Sequence, residues 1–262
     1  YLHWGTRGKP GLILVHGGAA HAHWWSFLAP LLTSHYDVVA LDMSGHGESD
    51  RRETYPREAW AREVMAVSDA MNFPGPPVVI GHSLGGLVAI IVASLFGDRL
   101  AGAIIVDSPV NKPSPESDAA QRGYTFFKPL KVYPTEEAAL ARFKLIPEQP
   151  CENPYIVDFV ARHSLHRVDG GFSWKFDPTI FIRVAEEMDR MSDHLAHVKC
   201  RVALLRGEHS VVVPRETSEY MYDVLNRSAP LVEIPQAHHH LILDQPLAFI
   251  AATRALLADW EH

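Results

Sequence analysis

The stretch Val78-Val79-Ile80-Gly81-His82-Ser83-Leu84-Gly85-Gly86 decides the fold of this chain, because a short apolar run breaks there at a glycine-rich turn. The apolar run then resumes as Leu87-Val88-Ala89-Ile90-Ile91, which predicts a buried strand, a sharp turn and a helix. In a Gly-x-Ser-x-Gly turn the glycines lack Cβ atoms, so strand and helix approach closely and the serine is held exposed in a strained conformation. We therefore predict that Ser83 is a nucleophile and that the Leu84 N–H faces the developing oxyanion.

The alternative interpretation of this stretch is a glycine-rich connection between a strand and a helix that carries no chemistry. A serine hydroxyl is a poor nucleophile, so hydrolysis also requires a neighbouring base and further donors for the oxyanion. The rest of the chain has to supply these partners.

Length and composition predict one large α/β domain, with room for a small insertion. The chain has 262 residues, of which 47% are apolar and 21% charged, as in ordinary globular proteins. No unbroken apolar segment is long enough to span a membrane, so we expect no membrane partner. The net charge of -7, with no cluster of basic residues, argues against nucleic acid as a partner.

The cysteines and the N-terminus bear on the cellular location. Cys151 and Cys200 lie in different predicted segments without metal-ligand spacing, so we predict free thiols. Free thiols fit a reducing compartment, and we expect a cytoplasmic location. The chain opens at Tyr1 with neither a Met nor a leader pattern, which indicates an internal start or a leader that has been removed.

Apolar runs alternate with helical patterns along the first part of the chain. Runs at 11–15, 36–41 and 100–106 accompany the strand before Ser83, which predicts a parallel sheet covered by helices on both faces. The alternation resumes only at 200–206. The intervening residues, about ninety, are too many for a structureless loop, so they are predicted to form a mainly helical lid. The predicted units are a core of 1–109, a lid of 110–195 and a second core part of 196–262.

With these landmarks in this order, the chain resembles the α/β-hydrolase superfamily over essentially its whole length, as a lidded serine esterase-like member. The resemblance rests on the turn around Ser83 and on three further segments, which are His16-Gly17-Gly18, Asp42-Met43-Ser44-Gly45-His46-Gly47-Glu48-Ser49 and Ala237-His238-His239-His240-Leu241-Ile242-Leu243-Asp244-Gln245-Pro246. It implies an α/β-hydrolase fold with a mostly parallel sheet and a lid inserted after the strand that ends at Asp107. It also implies a serine, an acid and a histidine in that chain order.

Three adjacent histidines leave the choice of base open on chemistry alone. The family's final motif places its histidine five residues before the acidic residue of an acidic-x-Pro step, here Asp244-Gln245-Pro246, and this selects His239. His238 and His240 are then expected to pack the loop or bond to the backbone.

No cofactor or metal is expected. A metal site that combined these histidines with His21 or His23 is disfavoured, because their spacing matches no standard ligand pattern.

The acid departs from the commoner family pattern. Many relatives carry an Asp where this chain has Ser210, in Gly207-Glu208-His209-Ser210, and a serine cannot hold an imidazolium as a buried carboxylate does. Some members of the superfamily take the acid from the end of the preceding core strand, which here implies Asp107. Glu208 and an incomplete triad remain the alternatives, and Asp107 could instead serve only to cap a turn.

The remaining site predictions follow from the resemblance. A second oxyanion donor is expected from the backbone N–H of Gly18, with Ala19 as the next choice. We expect four aromatic side chains to line the substrate pocket, with most of them in the lid, namely Trp25, Tyr124, Phe127 and Trp174.

These features predict a serine hydrolase that cleaves esters of small or medium apolar carboxylic acids through an acyl-enzyme. Its partner is then a small-molecule ester, and the oligomeric state stays open. Within enzymes the alternatives are hydrolysis of a carbon–carbon bond and opening of a lactone by the same triad. A small-molecule receptor of this fold, or a scaffold that has lost catalysis, is the alternative from another class. Hydrolysis through an Asp nucleophile is disfavoured because the turn carries Ser83.

Overall fold

A seven-stranded sheet forms the centre of the molecule in a computed structural model that describes residues 1–112, 129–181 and 191–260. Its order is β1-β3-β2-β4-β5-β8-β9, with β1 antiparallel to β3 and every other neighbouring pair parallel. The strands are β1 Leu2–Trp4, β2 Gly11–Val15, β3 Asp37–Leu41, β4 Val78–His82, β5 Gly102–Val106, β8 Arg201–Gly207 and β9 Leu231–Ile234. The predicted α/β class, with a mostly parallel sheet, is confirmed.

Helices cover both faces of the sheet, so its central strands are buried on both sides. The helices of the described residues are α1 Arg57–Met71, α2 Leu84–Phe96, α3 Glu136–Leu140, α4 Pro154–His163, α5 Met191–Ala196, α6 Arg215–Val224, α7 Leu241–Asp244 and α8 Pro246–Trp260. Alternate residues of each strand point to opposite faces. Ile13 and Val15 accordingly pack in the cluster with α1 and α2, whereas Leu12 and Leu14 pack in the cluster with α7 and α8.

The helix that follows the serine is buried almost all round, as its apolar sequence predicts. Eleven of its residues, from Leu84 to Ser94, are buried. The helix lies between α1 and α5, since Trp60 of α1 and Leu195 of α5 belong to the same core cluster. β4 lies between β2 and β5 in the sheet, and α2 lies between α1 and α5 in the helices on one face. The turn that joins β4 to α2 is therefore fixed by both elements.

The interval between β5 and β8 contains more than helices. It includes α3, α4 and an antiparallel hairpin of β6 Leu165–Val168 and β7 Gly171–Trp174, which the sequence analysis did not predict. Thr135 caps α3, accepting a hydrogen bond from the Ala138 N–H at 3.2 Å. The last helix of the interval, α5, packs on the core rather than beside the hairpin.

The segment between β2 and β3 contains short turns rather than a long helix. Ala22–Trp25 and Ala29–Leu32 are 3-10 turns, and the second contains Pro30 in its first turn. In the described ranges, no helix combines the length and the apolar character that crossing a bilayer requires.

Candidate active site

The turn between β4 and α2 places Ser83 in a conformation that few non-glycine residues adopt. Its backbone has φ 55° and ψ -120°, in the region of positive φ. The flanking glycines make this possible, because a Cβ on Gly81 would lie 2.1 Å from the Gly85 carbonyl oxygen. Ser83 stands at the N-cap of α2 but its side chain makes no capping bond, so the hydroxyl is left for other partners.

The Ser83 hydroxyl lies within hydrogen-bond distance of an imidazole, and this imidazole contacts a carboxylate in turn. Ser83 Oγ lies 3.1 Å from His239 Nε2, and His239 Nδ1 lies 2.7 Å from Asp107 Oδ2. A carboxylate can only accept, so His239 carries its proton on Nδ1 and presents a lone pair on Nε2 to the serine. The structure therefore brings together three residues that the sequence analysis named as candidates, with His239 lying 156 positions from Ser83 and 132 from Asp107 along the chain.

Asp107 is fully buried and its carboxylate is saturated with donors. Oδ1 accepts from the Gly207 N–H at 2.9 Å, while Oδ2 accepts from Ser210 Oγ–H at 2.6 Å as well as from His239. A buried anion needs such donors to offset its desolvation. Ser210, at the position where many relatives carry the acid, thus holds the acid of the neighbouring strand.

Glu208, the alternative acid, lies elsewhere. Its side chain is 43% exposed and accepts a hydrogen bond from the Gln236 N–H. Its carboxylate is 3.8 Å from His209 rather than beside His239. This placement removes Glu208 as the partner of His239.

The backbone on either side of His239 is fixed by three hydrogen bonds. The His238 N–H donates to Asp244 Oδ2 at 2.8 Å, and the His240 N–H donates to Gln149 Oε1 at 2.9 Å. His82 Nε2 donates to the His239 carbonyl oxygen at 2.9 Å. Because the His238 N–H, the His239 carbonyl and the His240 N–H all have partners, the imidazole starts from a defined position.

Sequence reasoning missed two of these supports. Gln149 belongs to the inserted segment and also donates from Nε2 to both oxygens of Asp244, at 3.0 and 2.8 Å. His82 was quoted only as part of the turn. No sequence pattern predicts the contact of Gln149. The position of His82 directly before Ser83 could have indicated that it lies in the site.

A second loop approaches the serine from β2. A Cβ on Gly17 would lie 3.3 Å from Ser83 Cβ, and one on Gly18 would lie 3.6 Å from Leu84 Cδ2. His16 holds this loop, because its Nδ1–H donates to the Gly17 carbonyl at 2.7 Å and its Nε2 accepts from the Met43 N–H at 3.1 Å. Leu84 begins α2, so its N–H has no acceptor within the helix.

Buried histidines surround the site in their neutral form. Burial, and after it the nearby His239, lowers the pKa of His82 to about 3. The pKa of His240 lies well below its ordinary value for the same two reasons in the same order. Neither ring takes up a proton near neutral pH, so both are uncharged neighbours of His239.

The predicted pocket residues have mixed outcomes. Trp25 has no exposed surface and packs in the core, 6.1 Å from the Phe249 ring centroid, so we correct the prediction that it binds substrate. Trp174 lies on β7, with its ring 6.0 Å from Tyr133 and 5.9 Å from Phe143, which are contacts within the insertion. Tyr124 and Phe127 lie outside the described residues.

Phe181 is an aromatic neighbour of the site that the sequence analysis did not name. A Cβ on Gly18 would come within 2.8 Å of the Phe181 ring, so this side chain lies against the loop that approaches Ser83. The bare backbone of Gly18 is what makes room for the ring.

Comparison with known proteins identifies the family of the chain. The sequence model of the alpha/beta hydrolase family matches residues 12–253, and the chain therefore belongs to that family. An esterase of Mycobacterium tuberculosis is 28% identical over 98% of this chain and 85% of its own length. A 2-hydroxy-6-oxo-6-(2'-aminophenyl)hexa-2,4-dienoic acid hydrolase of Metapseudomonas resinovorans is 26% identical over 96% of this chain and 85% of its own.

The fold is shared with solved structures as well. The crystal structure of E-2-(acetamidomethylene)succinate hydrolase superposes with a TM-score of 0.82 at 20% identity, covering 98% of this chain and 93% of the other. Together with the relatives, this places the chain among the hydrolases of the α/β family.

Proposed function

We propose that the chain is a serine hydrolase that cleaves esters of small or medium apolar carboxylic acids through an acyl-enzyme. The observation that carries the proposal is the chain of hydrogen bonds from Ser83 Oγ through His239 to Asp107, with distances of 3.1 and 2.7 Å. A nucleophile within reach of a base, and a base oriented by a third group, is the arrangement that activates serine.

In the first half-reaction Ser83 Oγ attacks the ester carbonyl carbon while His239 Nε2 takes the hydroxyl proton. Asp107 holds the ring through Nδ1 and stabilises the imidazolium that forms. The carbonyl oxygen becomes an oxyanion, for which the backbone N–H groups of Leu84 and Gly18 are the proposed donors. The tetrahedral species collapses, the C–O bond to the alcohol breaks, and His239 returns the proton to the leaving oxygen.

In the second half-reaction water replaces the alcohol. His239 removes a proton from water, the resulting hydroxide attacks the acyl carbon, and the bond to Ser83 Oγ breaks as the proton returns to Oγ. The free carboxylic acid leaves. None of these steps uses a cofactor, and each proton has a defined carrier.

The ester class is supported by the surroundings of Ser83 and by relatives. Leu84 and Phe181 provide apolar surface beside Gly18, which suits an apolar acyl group. The esterase relative covers nearly the whole chain. A pimeloyl-[acyl-carrier protein] methyl ester esterase of Aliivibrio fischeri is a further relative, 25% identical over 98% of this chain and 97% of its own length.

Hydrolysis of a carbon–carbon bond is the second candidate, because one relative of nearly full coverage acts on a 2-hydroxy-6-oxo dienoic acid. In such a substrate the bond beside the 6-oxo carbon breaks once that carbon has been attacked, with the leaving carbon taking the proton. The same base could deliver it.

The test is hydrolysis of p-nitrophenyl acetate, butyrate and octanoate by wild type, Ser83→Ala and a matched control, Ser26→Ala. Ser26 is a partly buried serine whose hydroxyl partners His23 rather than His239. Wild type and the control should release p-nitrophenol, and Ser83→Ala should not. A fluorophosphonate should label Ser83 in the same samples, detected by peptide mass spectrometry. Labelling of Ser83 without turnover of any ester would direct the search to carbon–carbon substrates, and absence of both would refute the proposal.

A further inference from the structure

Three histidine side chains meet beside the nucleophile, and only one of them has a part in the proposed chemistry. His82, His239 and His240 are each buried, and each offers one ring nitrogen within 4.8 Å of the other two. Their ring centroids are 4.9 Å apart for His82 and His239, 4.7 Å for His239 and His240, and 5.6 Å for His82 and His240. The cluster unites two distant parts of the chain, which is why no ligand spacing in the sequence revealed it.

The tautomers leave lone pairs available in this cluster. His82 donates from Nε2 to the His239 carbonyl, so its Nδ1 is an unprotonated nitrogen, and within the described residues that atom has no hydrogen-bond partner. The His240 ring approaches the Ile146 carbonyl, but neither of its nitrogens makes a hydrogen bond to a described residue. Buried polar atoms without a partner are rare, and an ion is one explanation for them.

We propose that His82, His239 and His240 form a binding site for a single Zn²⁺ ion, or another nitrogen-seeking transition-metal cation, and that occupation of this site stops hydrolysis. The site differs from a resident metal centre, because the proposed reaction proceeds without metal. The inhibitory consequence rests on the proposed function, whereas the binding itself does not.

The geometry requires a small adjustment. Zinc binds imidazole nitrogen at 2.0–2.1 Å, so two nitrogens on one ion lie at most about 4.2 Å apart. The widest pair in the cluster must therefore close by about 0.6 Å, which rotation of an imidazole can supply. Three imidazoles and one open position for water make a common zinc arrangement. Mg²⁺ and Ca²⁺ prefer oxygen ligands and are not expected to bind.

The chemical effect follows from the role of His239. The ring uses Nδ1 to bond Asp107 and Nε2 to receive the proton of Ser83. A cation on either nitrogen removes that nitrogen from its partner. The base is then lost, and a chelator should restore it because no covalent bond in the protein changes.

The experiment titrates chelator-stripped full-length chain with Zn²⁺ in competition with a chromophoric zinc indicator, and measures p-nitrophenyl butyrate hydrolysis in parallel. Wild type should bind one Zn²⁺ per chain, lose its activity in proportion to occupancy and regain it with EDTA. Mg²⁺ at the same concentrations should have no effect.

The decisive variant is His240→Phe, which keeps a ring against Trp24, whose centroid lies 5.3 Å from that of His240, but removes the ligand nitrogen. Its Zn²⁺ affinity should fall by about tenfold or more, since even the loss of groups outside the ligand set costs that much. His240→Gln serves if the Phe variant does not fold. The matched control is His35→Phe. His35 is exposed and lies just before β3, at the opposite end of the strands from Ser83, so the Zn²⁺ affinity of this variant should equal that of wild type.

Two further measurements separate this proposal from the proposed function. Ser83→Ala should still bind Zn²⁺, because the serine is not a ligand. Electron paramagnetic resonance of Cu²⁺ bound to wild type should show coupling to three nitrogens. Zn²⁺ affinity that is unchanged in both His240 variants, or wild type that binds no Zn²⁺ at tens of micromolar, overturns the site. Bound Zn²⁺ without inhibition overturns the blocking mechanism alone, and Zn²⁺ binding by a protein without esterase activity refutes the function but keeps the site.

Discussion

Two neighbouring turns at the carboxyl edge of the sheet both contribute to the hydrogen bonds beside His239, but they supply different groups. One follows β5 and carries Asp107, and the other follows β8 and carries Ser210. The strands are paired in register, with Val106 opposite Leu205, and the Asp107 N–H donates to the Leu205 carbonyl at 2.8 Å. Both side chains reach the same oxygen beside His239. This proximity predicts that a carboxylate on either turn would reach His239, provided that the other turn supplies a donor.

The difference between the turns lies in their backbones. Asp107 has a φ of 47°, an unusual conformation for a non-glycine residue, and its side chain is directed to the Gly207 N–H and to His239. Ser210 instead accepts from the N–H groups of Val212 and Val213, at 3.2 and 3.0 Å, and donates onward to Asp107. The turn that carries Asp107 is strained and held by hydrogen bonds, and the turn that carries Ser210 supplies a further donor to the Asp107 carboxylate.

The largest effect should come from Asp107→Asn. An amide cannot stabilise the imidazolium and it favours the wrong tautomer of His239, so we expect kcat/KM for p-nitrophenyl butyrate to fall by about 10⁴-fold. Glu208→Gln is the matched control and should leave the rate near that of wild type. Equal losses in both variants, or a small loss in Asp107→Asn, would contradict the assignment of the acid.

Moving the carboxylate from position 107 to position 210 tests whether the turns are equivalent. Ser210 Oγ lies 2.6 Å from the Asp107 oxygen that meets His239, so a carboxylate at position 210 should reach His239 Nδ1. Asp107→Asn combined with Ser210→Asp should recover about a hundredfold of the activity lost in Asp107→Asn alone, because a charged acceptor returns. If the double variant is no faster than the single one, the strained conformation at Asp107 is itself required.

A smaller effect is expected from Ser210→Ala. This change removes one charge-assisted hydrogen bond from the buried carboxylate, a bond of about 1.5–3 kcal/mol, and should lower kcat by roughly tenfold to a hundredfold. KM should change little, because Ser210 is in contact with Asp107 rather than with substrate. Ser210→Thr keeps the hydroxyl and should retain most of the rate. A loss confined to KM would argue against this role.

Acidification should lower the free energy of unfolding through His82, a residue that lies on neither of these two turns. The pKa of His82 is about 3 because the ring is buried, whereas the unfolded chain protonates it near 6.5. Below pH 6.5 the unfolded state binds more protons, so stability is fully present above that pH and falls as the pH drops toward 3. One pH unit below 6.5 the cost is about 1 kcal/mol for this histidine.

Urea unfolding at pH 7.5, 6.5 and 5.5 measures this dependence. Wild type and Ser210→Ala should lose stability in parallel as the pH falls, since both keep His82. His82→Gln should show a shallower dependence, because it lacks that titration. Identical slopes in wild type and His82→Gln would show that His82 does not contribute.

Much of the fold could be predicted because its signals are local. Five-residue apolar runs mark strands buried on both faces, and the glycines around Ser83 mark a turn that other residues cannot make. The hairpin of β6 and β7 escaped prediction because its residues are only partly buried, so the apolar signal is weak. The pocket prediction failed at Trp25 because an aromatic residue beside a site loop packs equally well into the core.

By itself, the sequence determined the sharp turn at Ser83 and the order of the strands along the chain, and its resemblance to the family favoured His239 and Asp107 as partners. Only the tertiary structure placed Asp107 rather than Glu208 beside His239, put the Ser210 hydroxyl on the same carboxylate, and brought Gln149 and His82 to the loop of His239. The physical reason is distance along the chain. Local backbone geometry follows from neighbouring residues, whereas hydrogen bonds between turns depend on how strands far apart in sequence align in the sheet.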